Sequence, residues 1–115
     1  MKIIITPDSK LRRIAQPVKG LDKKLQEQIA DMIKALKSAK DPEGVGLAAP
    51  QVGLNRRLFI VTFNGIPEIF INPVISRPSS AMLSDVHRRN KDRWLEGCLS
   101  VPRLWGFVDR PYSIE

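Results

Sequence analysis

Glu96-Gly97-Cys98-Leu99-Ser100 holds the only cysteine of a 115-residue chain, and its reading governs how the rest is understood. An acid precedes the thiol, a glycine lies between them, and Val101-Pro102 follows. A lone cysteine has two readings. It can be a small buried hydrophobe at a strand end, since free cysteine is among the most buried residue types. Or it can be a thiolate ligand or nucleophile, with Gly97 letting a substrate backbone approach closely. The stretch by itself leaves both open.

A second stretch lies far upstream, Gly44-Val45-Gly46-Leu47-Ala48-Ala49-Pro50-Gln51. Alternate glycines, then small residues, then one amide describe a loop with almost no bulk on one side. A dinucleotide fingerprint is excluded, because the third glycine and the preceding strand are missing.

Together the two stretches resemble the first two signature motifs of the peptide deformylase family, G-x-G-x-A-A-x-Q and E-G-C-x-S. The resemblance covers nearly the whole chain. It takes in Ile3–Pro7, the helix before the glycine loop, Ile71-Asn72-Pro73, Ser100-Val101-Pro102 and Arg110-Pro111. It implies a hydrolase that removes the formyl group from the N-terminal formyl-methionine of nascent polypeptides, with one divalent metal ion (Fe2+ or Zn2+). By the same resemblance Cys98 is a metal ligand, and the Gln51 side chain and the Leu99 backbone N–H form an oxyanion hole. Gly44, Gly46 and Gly97 would hold the substrate backbone by strand-like pairing. Val45 and Leu47 would line a pocket for the methionine side chain, unless they simply pack. Glu96 would orient the loop from behind, or be a surface charge.

The family's third signature, H-E-x-x-H on a helix, does not occur. His87 is the one histidine, and no glutamate follows it. The chain stops at Glu115, where the family pattern would still be running along a strand toward that helix. The expectation is therefore a single, incomplete deformylase-like domain over residues 1–115, lacking the C-terminal helix, marginally stable, and holding metal weakly or not at all.

Hydrolysis of a formamide needs hydroxide near neutral pH and a partner for the charge on the formyl oxygen. A catalytic metal supplies the first, using three protein ligands and lowering the pKa of bound water to about 7. A fixed amide suits the second, because it donates without titrating. Removing one such donor costs about 3 kcal/mol of transition-state stabilisation. Only Cys98 among the implied ligands is present. The alternative is thus a catalytically silent fragment that binds formyl-methionyl peptides or a ribosomal surface. A cysteine-nucleophile enzyme lacks a plausible base. His87, set among Arg88, Arg89, Lys91 and Arg93, reads as a solvated loop histidine rather than a ligand.

Length and a 43% hydrophobic content allow one domain with a real core. One cysteine allows no internal disulfide. The apolar run Ile3–Ile5 is too short for a signal peptide and nothing approaches a membrane span, so a cytoplasmic location is expected. The net charge of +7 falls in scattered pairs, Arg12-Arg13, Lys23-Lys24, Arg56-Arg57 and Arg88-Arg89, without interleaved aromatics. That pattern excludes a sequence-specific nucleic-acid module. It is compatible with loose attraction of a ribosome-facing enzyme to RNA.

Along the chain, Ile3–Ile5 is β-prone. Leu21, Leu25, Ile29, Met32-Ile33 and Leu36 form a helical stripe extending to about Ala39, which Asp41-Pro42 ends. Arg57–Phe63 reads as a strand, Asn64-Gly65 as a hairpin turn, and Glu68–Ile71 as the returning strand, with Val74-Ile75 as its extension. Residues 76–93 read as an exposed polar loop and Leu104–Val108 as a last strand. The fold class is α+β: short, mostly antiparallel strands around one central helix.

Overall fold

A computed structural model describes residues 1–40, 43–87, 89 and 94–115. Its one long helix, α1 (Lys23–Ser38), begins where Asp22 accepts the Leu25 backbone N–H at 2.7 Å. Such a cap contributes about 1 kcal/mol. The stripe Leu25, Ile29, Met32 and Leu36 is buried, and Met32 is 0% exposed. Leu21 lies before the cap and is 60% exposed, so the stripe is one turn shorter than the sequence suggests. Asp41 and Pro42 lie outside the described residues. The helix ends with the Ala39 N–H bonded to the Leu36 carbonyl.

The stripe packs on a three-stranded antiparallel sheet, β1 (Gly46–Ala48), β2 (Leu58–Phe63) and β3 (Ile66–Ile71), in the order β1-β2-β3. Pairing Leu47 with Ile60 brings both, with Leu58, into the same buried cluster as the α1 stripe. Alternation sends Phe59 and Phe70 to the other face, where their rings stack with centroids 4.8 Å apart. Asn64 and Gly65, at φ 51° and 77°, form the tight turn joining β2 to β3. Positive φ at both central positions matches the right-handed twist of the flanking strands.

The glycine stretch is therefore not a plain loop. It supplies the edge strand β1, then a 3-10 turn over Ala49–Val52 that carries Gln51. Val74-Ile75 does not extend β3, because Asn72 turns the chain at φ 51°. The Asn72 side chain instead grips Val18, accepting from its N–H at 2.7 Å and donating to its carbonyl at 2.8 Å. The polar segment after Ser76 contains a helical turn, α2 (Leu83–Val86), where a continuous loop is expected from composition. Asp85, within the turn, accepts the Met82 N–H at 2.8 Å, and Asp109, far along the chain, holds Ser84, so a turn too short to persist alone is capped from both near and far. Arg88 and residues 90–93 lie outside the described residues.

The second sheet is a hairpin, β4 (Glu96–Cys98) and β5 (Val101–Gly106), with Leu99-Ser100 at the turn and a register shift between Gly97 and Cys98. The last strand thus begins at Val101 rather than Leu104. The Ile3–Ile5 run is no regular strand, but it ties the two halves together. Its Ile4 N–H bonds the Gln51 carbonyl at 2.7 Å, and the Thr6 N–H bonds the Ser100 carbonyl at 2.8 Å. Among the described residues no helix is long and apolar enough to cross a membrane.

Candidate functional site

That bracing brings the two sequence motifs to one point. Gln51 Nε2 lies 3.7 Å from Cys98 Sγ and donates to Ser100 Oγ at 3.1 Å. Its Oε1 accepts the Ala48 N–H at 2.9 Å. The last bond fixes which end of the amide is which, since only oxygen can accept there. Nε2 carries two protons. One is held by Ser100, and the other is directed toward the sulfur over a long, weak contact. A carbonyl oxygen arriving beside Cys98 would be the better acceptor.

Ser100, 3% exposed, is the buried polar group that sequence reasoning missed. Its place inside the E-G-C-x-S motif, next to a turn, is the signal that could have singled it out. Burying its hydroxyl without a partner would cost roughly 1–3 kcal/mol, and Gln51 is that partner. Cys98 itself is exposed, so the structure favours the accessible thiol over the buried hydrophobe.

The pair stands in an open groove of about 530 Å³. One wall carries Val45, Gly46 and Val61, and the other Leu95 through Leu99 with Trp105. β1 is a sheet edge, so Gly46 faces the groove from a strand with a free side among the described residues. Gly97 lies under the Trp105 ring so closely that a Cβ there would come within 2.8 Å of it. Leu99 lies on the turn at the groove, and Val45 is exposed there.

Two expected site residues are placed elsewhere. Leu47 is 2% exposed and belongs to the core. Alternation along β1 sends it inward, opposite to Gly46. Gly44 lies against the end of α1, where a Cβ would collide with the Leu36 carbonyl, so it serves helix–loop packing. His87 is half-buried rather than solvated. It ends α2 with its N–H bonded to the Leu83 carbonyl at 2.8 Å. Of its expected cationic neighbours, Arg88, Lys91 and Arg93 lie outside the described residues.

Glu96 is held by Arg110, which donates from Nε at 2.8 Å and from Nη2 at 2.7 Å. This bidentate pair ties β4 to the segment after β5 beside the groove, and sequence reasoning did not single out Arg110. The hydrogen bonds from Arg110 hold the Glu96 carboxyl below its ordinary 4.5, against a smaller opposing effect of burial. A depressed carboxyl stabilises the fold above its unfolded-state pKa, and the contribution disappears as pH falls through the folded value. Glu96→Gln is therefore expected to melt below the parent at neutral pH, by no more than about 1 kcal/mol for a partly exposed pair. The gap should close as pH falls below 4.5. A gap unchanged in acid would show that the pair does not titrate as described.

A catalytic divalent centre takes three protein ligands. Among the described residues no group of three His, Cys, Asp or Glu side chains could hold an ion, and Cys98 is the one thiol. The described residues therefore offer a single sulfur and do not make a metal centre by themselves.

Comparison with known proteins places this geometry. The family model for polypeptide deformylase matches residues 1–115. The chain is 35% identical to a peptide deformylase of Maricaulis maris, over 99% of this chain and 62% of that protein. It is 38% identical to one from Prosthecochloris aestuarii, over 100% and 59%. A crystal structure of a peptide deformylase from Legionella pneumophila superposes with a TM-score of 0.83 at 35% identity, covering 98% of this chain and 61% of that one. One from Synechococcus elongatus, in complex with actinonin, gives 0.80 at 34% identity, covering 96% and 54%. The chain thus spans about three fifths of the length of the curated relatives it matches.

Proposed function

This chain belongs to the polypeptide deformylase family, and we propose that it provides the substrate-binding and carbonyl-polarising part of a site that removes the formyl group from formyl-methionyl N-termini. The observation that supports this most is the meeting of Gln51 Nε2 and Cys98 Sγ at 3.7 Å, from segments 47 residues apart, at the end of an open groove. In this reading the peptide lies along the free edge of β1 opposite Gly97 and pairs with the backbone as an added strand. Val45 meets the methionine side chain. The formyl oxygen receives the free Gln51 proton and the Leu99 N–H, and Ser100 and Ala48 keep the amide aimed. Glu96, gripped by Arg110, holds β4 in place.

Hydrolysis in the family calls for metal-activated water. Cys98 is one suitable ligand, and among the described residues no group of three donors forms around it, so we assign peptide binding rather than turnover to the described residues. A cytoplasmic setting and a loose association with the ribosome, where formylated N-termini emerge, complete the proposal.

Calorimetry with a formyl-Met-Ala-Ser peptide and its unformylated counterpart tests it. The formylated peptide should bind at least about tenfold more tightly, equivalent to 1.4 kcal/mol. Gln51→Ala should remove most of that preference, as expected for one or two hydrogen bonds. No formate should be released with added Fe2+ or Zn2+. Equal binding of both peptides would refute the binding role. Near-stoichiometric metal with turnover would refute the assignment of binding without hydrolysis.

A further inference from the structure

The β4–β5 hairpin sets Trp105 directly opposite Gly97. Residues opposite each other on neighbouring strands send their side chains to the same face. Gly97 has none, and the indole leans into the space. A Cβ on Gly97 would lie within 2.8–3.0 Å of three atoms of the six-membered ring. Covering Gly97 uses only part of the side chain. Trp105 is 51% exposed and lines the groove that holds the Gln51–Cys98 pair.

The charge of that groove has one sign. Glu96 and Arg110 line it and are bound to each other. Among the described residues the remaining ionised group of the lining is the exposed carboxylate of Glu43, with no lysine and no second arginine beside it. A tryptophan ring attracts a cation over its face more strongly than tyrosine or phenylalanine does. An exposed indole in a groove of negative balance therefore suits a cationic side chain.

The peptide placement proposed above fixes which of its residues meets the ring. Successive residues of a strand present their N–H and C=O groups to alternate edges. With the methionine paired to β1, the next residue turns its backbone toward β4. Among the described residues β4 pairs with β5 alone, so its other edge is open to that residue at Gly97. A side chain opposite Gly97 rises on the face that the indole occupies. We propose that Trp105, with the Glu43 carboxylate setting the sign of the field, selects formyl-methionyl peptides that carry arginine or lysine as their second residue. The selection rests on that placement of the peptide, and adds a side-chain preference that Gln51 and Leu99 do not supply.

Calorimetry of the whole chain with formyl-Met-Arg-Ser, formyl-Met-Glu-Ser, formyl-Met-Ala-Arg, formyl-Met-Ala-Ser and unformylated Met-Arg-Ser tests it. Arginine at the second position should tighten binding about fivefold over alanine, and glutamate should weaken it. Arginine at the third position should gain less than about twofold. The two arginine peptides carry the same charge, so the chain's overall +7 cancels from their comparison. Trp105→Leu should bring the ratio of second-position arginine to alanine close to unity, and Trp105→Phe should keep a ratio of about two. In the parent, the δ-protons of the bound arginine should shift upfield in the ring current of the indole. Four results would overturn the proposal: arginine and alanine binding alike, an equal gain from glutamate, an equal gain from third-position arginine, or a ratio that survives Trp105→Leu while both peptides weaken together. Equal binding of Met-Arg-Ser with and without the formyl group would remove the peptide placement, and the selection with it. A formyl preference with no side-chain preference would remove the selection alone.

Discussion

Met32→Ala is expected to lower stability by about 3 kcal/mol and the melting temperature by roughly 10–15 °C. Met32 is 0% exposed and sits where α1 meets β1 and β2, among Leu36, Leu47, Ile60 and Ala49. The truncation removes the transfer free energy of its side chain and leaves a cavity that a helix pinned to a sheet cannot close. Among the described residues the cluster contains eight buried apolar residues. Domains of this size hold roughly 5–15 kcal/mol in total, so the loss takes a large fraction of what is available. Lys34→Ala, on the exposed side of the same helix, should move stability by less than about 0.5 kcal/mol. Thermal unfolding followed by circular dichroism separates the two. A parent and a Met32→Ala variant melting within a few degrees of each other would show that α1 is not packed as described.

The second large effect is expected from the N-terminal segment. Removing residues 1–6 deletes both backbone bonds that fasten the motifs to each other, Ile4 to Gln51 and Thr6 to Ser100. Ile4 and Thr6 lie two residues apart on an extended chain, so they set the spacing between the 3-10 turn and the β4–β5 hairpin. Each bond contributes about 1 kcal/mol net. Their joint loss corresponds to roughly 10- to 30-fold in any property that needs both motifs in register. The truncated chain should therefore bind formyl-Met-Ala-Ser that much more weakly while keeping the α1–β1–β2 core, and its far-ultraviolet dichroism should change little. Unchanged peptide affinity would mean that the side-chain contacts among Gln51, Cys98 and Ser100 hold the site without the brace.

The parts of the molecule written in local periodicity were legible beforehand. The α1 stripe, the β2–β3 hairpin and its Asn64-Gly65 turn each follow from spacing and turn chemistry within a dozen residues. The parts that depend on partners far along the chain were not. α2 forms because Asp109 caps Ser84, β5 starts early because Cys98 pairs with Val101, and Ile3–Ile5 spends its hydrogen bonds on two separate turns. The site divides the same way. Gln51 and Cys98 were visible as motif residues and do converge. Of the two readings open for Leu47 the fold takes packing, and Gly44 lies against Leu36, because the period-2 alternation of β1 and the end of α1 cannot be read from a glycine-rich stretch. Ser100 and Arg110 matter through contacts that only the folded chain displays.

Everything functional rests on a formyl group being received where the Gln51 amide meets the Cys98 sulfur. Nuclear magnetic resonance of the 15N-labelled chain with formyl-13C-labelled Met-Ala-Ser tests this directly. One Gln51 side-chain amide proton should shift downfield, with cross-peaks from the formyl proton to the Cys98 β-protons. A bound peptide that leaves the Gln51 amide unmoved and perturbs the far end of the sheet near Leu36 and Thr62 instead would contradict it.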